Sequence, residues 1–137
     1  MKLFPLRLHP GDDLRAALEK AVTAQGCAAA FVISGIGSLA GANIRLAGAD
    51  ATSNLAGEFE ILTLAGTIAA NGSHLHVSVS DVNGAVLGGH VSPGCRIRTT
   101  AEILLALLPD WQFRREADQM SGYAELVIRP KDPSEAA

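Results

Sequence analysis

The sequence predicts a predominantly β domain with one helix near its N-terminus, an α/β (α+β) class. Three observations predict it. Short runs rich in Val, Ile, Leu and Thr are separated by turns containing Gly, Asn or Pro along most of the 137 residues, the pattern of successive strands. One stretch, "GDDLRAALEKAVTAQG", instead carries its apolar residues at helical spacing. Apolar residues make up 48% of the chain and aromatics only 4%, so the core is aliphatic and the apolar excess points to oligomerisation. The length suits one domain, residues 1–130, large enough to bury a core without disulfide or metal staples.

The elements follow in order. "KLFPLRL" is a short apolar strand, and Pro5, lacking an N–H for a ladder, confines it to a sheet edge or bulge. "HPG" ends it and places His9 in a solvent-facing turn. In the helix, Leu14, Leu18 and Val22 form one stripe with Ala17 and Ala21. Asp12 and Asp13 suit its positive N-terminus and Gly26 its C-terminal stop. "CAAAFVISGIGSLAGANIRLAG" reads as two buried strands meeting at a tight bend near Gly35, Gly37 and Gly41. It fits neither the phosphate-loop pattern nor the spaced glycines of a dinucleotide fold. "FEILTLAGTIAANG" is a strand ending in an Asn71-Gly72 turn. "TTAEILLALLPDWQFRREADQM" is a helix by propensity, yet its first ten residues, with Thr100 near their start, also suit a buried strand. "GYAELVIRP" closes as a strand, and "KDPSEAA", residues 131–137, is a polar tail expected to be disordered.

Composition narrows the function. Net charge is −3, and because sequence-independent nucleic-acid affinity comes from Lys and Arg neutralising phosphates, a broadly basic binding surface is excluded. Arg96, Arg98, Arg114 and Arg115 remain a candidate local patch, against the plainer reading as a solvated face. No apolar run reaches the roughly 18 residues of a membrane span, and "MKLFPLRLHPG" lacks the features of a signal peptide. The expected location is the cytoplasm. Cys27 and Cys95 stand apart in apolar or Gly-rich surroundings and read as buried thiols. Without a GxSxG elbow or a base placed beside a cysteine, nucleophilic triad chemistry is set aside.

The stretch "SHLHVSVSDVNGAVLGGHV" holds three of the four histidines. Strand alternation sends His74, His76, Ser78 and Ser80 to one face and Leu75, Val77 and Val79 to the other. A two-residue Asn-Gly turn would set Leu87 against Ser80, apolar against polar. A three-residue loop, Val82-Asn83-Gly84 with Gly84 left-handed, sets Leu87 against Val79 and Val91 against Leu75 instead. Burial selects this register, since a one-residue slip would turn a whole apolar set to the wrong face. His90 then lies opposite His76, with Cβ atoms about 4.5–5.5 Å apart, and diagonal to His74. Gly88 and Gly89 either bulge and spoil this parity or clear room for a ligand or backbone.

Three imidazoles with an open fourth position suit a catalytic type of zinc site, with Fe, Mn or Ni as alternative ions. The open position would take a small anionic or carbonyl ligand, and Glu102, Ser78 and Asp81 are the candidate assistants to a metal-bound water. The competing reading is a cluster that hydrogen-bonds across a subunit boundary.

The run "HLHVSVSDVNGAVLGGHVSPGCRIRTTAEILL", with "LHPGDDLRAAL", "SGIGSL" and "GEFEILTLAGTI" ahead of it, resembles the plant-and-prokaryote-conserved (PPC) domain over about residues 3–130. The resemblance implies a mostly antiparallel sheet with the helix packed on it, assembly as a homotrimer, and a strand rather than a helix at "TTAEILLALL". It matches the family's histidines at His74, His76 and His90, where some prokaryotic relatives look like metal binders. It also implies DNA association, because plant relatives carry AT-hooks, Arg-Gly-Arg-Pro segments that enter the minor groove. No such segment occurs here, and Gly57-Glu58-Phe59-Glu60-Ile61-Leu62 has an acid where plant members have Arg.

Overall fold

A computed structural model describes residues 1–132. The chain runs β1 (Lys2–Leu8), α1 (Leu14–Ala24), β2 (Ala29–Arg45), β3 (Ser53–Ala69), β4 (Gly72–Ser80), β5 (Val86–Val91), β6 (Ile97–Leu107), β7 (Trp111–Ala117) and β8 (Ala124–Pro130). The six strands β1-β6-β2-β3-β4-β5 form one sheet, every pair antiparallel. Because β5 also pairs with the end of β2, the strands β2, β3, β4 and β5 close on one another around the core. The strands β7 and β8 make a separate hairpin, docked through Phe113, which is buried with Ala29 and Ala69.

The edge position of Pro5 holds, since among the described residues β1 pairs only with β6. Helix α1 starts where Asp13 accepts a hydrogen bond from the Ala16 amide, a side-chain cap for an otherwise unpartnered donor. Its stripe of Leu14, Leu18 and Val22 is fully buried against sheet residues including Leu39, Ile44 and Leu75. His9 is exposed, as expected of a turn. Cys95 is buried and Cys27 half-buried, and both are free thiols.

Four expectations change. The glycine-rich stretch after α1 is one strand of 17 residues, not two. Register shifts near Val32, Gly37 and Ala40 bend it without breaking it, so its first half pairs with β6 and its last residues reach β5. Strand β3 begins at Ser53, well before the expected segment. Its turn into β4 falls at Ala70 and Asn71, one residue early, because Gly72 already pairs with Ala69. The helix that propensity gives for "TTAEILLALLPDWQFRREADQM" does not form: "TTAEILLALL" is strand in β6, as the resemblance implies, with alternate residues Ala101, Ile103 and Leu105 facing the core, and Trp111–Ala117 is strand β7. Of the expected polar tail, residues 133–137 lie outside the described residues. No helix among the described residues is long and apolar enough to cross a membrane.

Candidate metal centre

The turn between β4 and β5 is the three-residue loop Val82-Asn83-Gly84. Asp81 and Ala85 close it, the Asp81 amide donating to the Ala85 carbonyl at 2.9 Å. The Asp81 carboxylate accepts from the Asn83 and Ala85 amides, and Gly84 has φ +78°, a left-handed conformation that glycine adopts without cost. Register follows from this loop. Leu87 lies opposite Val79, and His90 opposite His76. The ladder ends there, so Val91 meets Ile44 of β2 and not Leu75 as the extended hairpin implied. Gly88 and Gly89 keep strict register. A Cβ at Gly88 would lie 2.5 Å from the Val77 carbonyl oxygen, and one at Gly89 2.5 Å from that of Arg45. The glycines therefore let β5 lie tightly between β4 and β2, which fixes where His90 stands.

Leu75, Val77 and Val79 are buried while His74 and His76 are exposed, so the alternation expected of β4 holds. His74 and His76 face each other with Nε2 atoms 3.0 Å apart and rings edge-on at 85°. The His90 ring centre lies 5.2 Å from that of His74 and 6.0 Å from that of His76. One ligand nitrogen from each lies within 4.8 Å of the others. Nitrogens around a tetrahedral zinc with Zn–N of about 2.0–2.1 Å lie about 3.3–3.4 Å apart, so small ring rotations suffice for a single ion. The Nδ1 atom of His90 is buried with no hydrogen-bond partner among the described residues. An orphaned buried imidazole nitrogen is costly unless something binds it.

Burial, then the neighbouring His74, Arg45, Arg15 and His76, pulls the pKa of His90 from the usual 6.5 to about 4. That of His74 is also lowered, first by burial and then by His76. Both rings are therefore neutral at neutral pH, the form that ligates metal. The sign of the linkage is opposite to that of a paired histidine. As pH falls below 6.5 the unfolded chain binds a proton at position 90 that the folded chain refuses until about pH 4. The urea midpoint of metal-stripped protein is expected to fall between those two pH values. In His90→Gln that fall is expected to shrink, measured by circular dichroism at each pH.

The cluster opens on a cleft of about 550 Å³, walled by Arg15, Arg45, Asp50, Arg115, Tyr123 and Glu125 beside His74 and His90. The assistants expected from sequence are occupied elsewhere. Ser78 hydrogen-bonds Thr63, and Asp81 holds its own loop. Glu102 is exposed on β6, paired with Ile36 and Arg7. The four arginines considered for phosphate contact fall in separate settings. Arg96 donates to the Gly11 carbonyl, Arg98 pairs with Glu58, and Arg114 is exposed on β7. Arg115 turns into the cleft and donates to Thr67, with burial lowering its pKa. Arg15 and Arg45 were not singled out by sequence, since nothing local marks them before α1 and β2 are packed beside β5.

Comparison with known proteins fits this architecture. A hypothetical protein from Salmonella cholerae-suis superposes with a TM-score of 0.91 at 41% identity, covering 95% of this chain and 94% of that one. A metal-containing protein from Archaeoglobus fulgidus gives a TM-score of 0.79 at 27% identity over 93% of this chain and 94% of its own. A bifunctional protein GlmU from a Synechococcus strain is 46% identical over 130 residues, 95% of this chain. The matching stretch is 21% of that protein, so the chain spans about a fifth of the length of this curated relative. Residues 1–109 match the model of one family along most of the chain. The chain belongs to the Plants and Prokaryotes Conserved (PCC) domain family.

Proposed function

We propose that this PCC-domain protein holds a divalent metal, zinc in the first instance, at His74, His76 and His90 and presents its remaining position to a small ligand. The convergence of three ligand nitrogens within 4.8 Å carries the reading. It is supported by the buried, unpartnered nitrogen of His90 and by a 27%-identical relative described as metal-containing. Zinc at such a site would act as a Lewis acid and lower the pKa of a bound water. The chain's own part is to hold the three rings together on rigid strands, with His74 and His90 kept neutral by burial. Glu19 helps, accepting from the Ser73 amide at 3.1 Å and from its hydroxyl, which pins the start of β4 next to His74. Elemental analysis of protein purified without a histidine tag tests the proposal. One ion per chain is expected, and no metal after growth in zinc-supplemented medium would end it.

Residues 1–130 act in this reading as one PCC unit in the cytoplasm, assembled as a homotrimer. Support for assembly comes from Phe31, Ile33, Ile36 and Leu62, large apolar side chains exposed on β2 and β3. Sedimentation equilibrium checks it, and a single species of one chain's mass would exclude the trimer. DNA association is the alternative role implied by the family resemblance. Duplex binding that vanishes between low and physiological salt would exclude it.

A further inference from the structure

Three arginines from three elements ring the histidines. Arg45, the last residue of β2, is the cross-strand partner of His90. Arg115 on β7 donates to Thr67, and Thr67 is the cross-strand partner of His74. Its place is fixed by a reciprocal pair of bonds, Arg115 amide to Asn71 Oδ1 at 2.7 Å and Asn71 Nδ2 to Arg115 carbonyl at 2.9 Å. Arg15 on α1 reaches the carbonyl of Val91, the residue after His90, and pairs with Glu19. All three arginines line the cleft that His74 and His90 also line.

Arg15 is answered by Glu19, but the donors of Arg45 and Arg115 are poorly matched from within the chain. Among the described residues no carboxylate forms an ion pair with Arg45 or Arg115. The Arg45 guanidinium donates, among the described residues, to the Ala49 carbonyl alone, at 3.4 Å. The Nε of Arg115 is buried with no partner. Asp50 and Glu125 are the carboxylates of the wall and Glu19 pairs with Arg15, so the case for a ligand rests on the unmet donors of Arg45 and Arg115 and not on an excess of charge. A planar guanidinium with a free Nε–H matches two oxygens of a carboxylate or phosphate, and buried donors of this kind are costly unless an acceptor reaches them.

We propose that the cleft is an anion subsite, taking the carboxylate or phosphate group of a small organic ligand on Arg45 and Arg115. The inference deepens the metal reading and rests on it for one feature, a second donor of the ligand reaching the ion at the histidines. A cleft of about 550 Å³ is within the range of small-molecule sites, so a ligand with one anionic end and one metal-binding end fits. The unmet guanidinium donors of Arg45 and Arg115 favour acids and phosphate esters, whose oxygens accept charge-assisted hydrogen bonds.

The test is calorimetric titration of untagged protein, zinc-loaded and metal-stripped, with inorganic phosphate and separately with succinate. At least one probe is expected to bind both forms, more tightly with zinc, and the tighter probe tells phosphate from carboxylate chemistry. Arg45→Gln and Arg115→Gln are each expected to weaken it by about tenfold or more, the usual effect of losing a charge-assisted pair, with zinc content unchanged. Arg114→Gln, on the same strand, is expected to bind like the parent. Zinc bound with neither probe binding, or with Arg45→Gln and Arg115→Gln both at parental affinity, overturns the subsite and leaves the metal reading standing. Anion binding lost with the arginines in a protein that takes up no zinc overturns the metal reading and leaves the cradle.

Discussion

Replacing His76 by Ala is expected to lower zinc affinity by at least about 100-fold without unfolding the protein. Loss of a partner that merely orients a metal-bound histidine typically costs 10–100-fold, and a direct ligand contributes more. His76 is exposed on the outer face of β4, so removing its ring opens no cavity in the core. The unfolding free energy of the metal-free variant in urea is expected to stay within about 0.5 kcal/mol of the parent, as for other surface changes. Competition against a fluorescent zinc chelator gives the affinity. His90→Ala is expected to match it, and His9→Ala, in an exposed turn far along the chain, is expected to bind zinc like the parent. Equal zinc affinity in all four proteins would place the ion somewhere other than the three rings.

The largest effect on stability is expected from Gly66→Ala. Gly66 sits in β3 with φ +147°, opposite Leu75. A Cβ there would overlap the carbonyl oxygen of His74 and stand 2.8 Å from the Leu75 Cα. Neither atom belongs to a flexible side chain, so β4 must shift as a whole. Backbone strain and overpacking each cost about 1–3 kcal/mol, giving about 2–6 kcal/mol together, a large part of an ordinary domain's stability. The control is Gly57→Ala, whose Cβ would meet open space and whose positive φ alone costs about 1 kcal/mol. Urea denaturation of both variants separates collision from strain. Because the displaced backbone is that of His74 itself, Gly66→Ala is also expected to lose zinc where Gly57→Ala keeps it.

How far the molecule can be read from its sequence depends on whether the deciding interactions are local. The hairpin register was legible because Val79 and Leu87 must share a face, and only a three-residue loop with Gly84 left-handed allows it. Once that is settled His76 and His90 have to meet. Helix α1 was legible for the same kind of reason, a stripe and a capping aspartate within a dozen residues. The length of β2 was not. Its glycines look like a chain reversal locally, but β6, β3 and β5, all distant in sequence, pair along it and hold it extended. Strand β6 was decided by the same long-range pairing, against the helix preference of its Ala, Glu and Leu residues. The arginines of the cleft belong with the illegible part. Arg45 reaches His90 only because β5 crosses to pair with β2, and Arg115 reaches Thr67 only because β7 folds back over the β3–β4 turn. No spacing within the sequence encodes either approach.

Anomalous diffraction at the zinc edge, from crystals of untagged protein grown with zinc, bears most directly on the claim that core burial forces three imidazoles around one ion. A single strong peak about 2.0–2.1 Å from one nitrogen each of His74, His76 and His90 is the expected result. A peak bound by other side chains, or His90 turned away from an ion held by the first two rings alone, would contradict it.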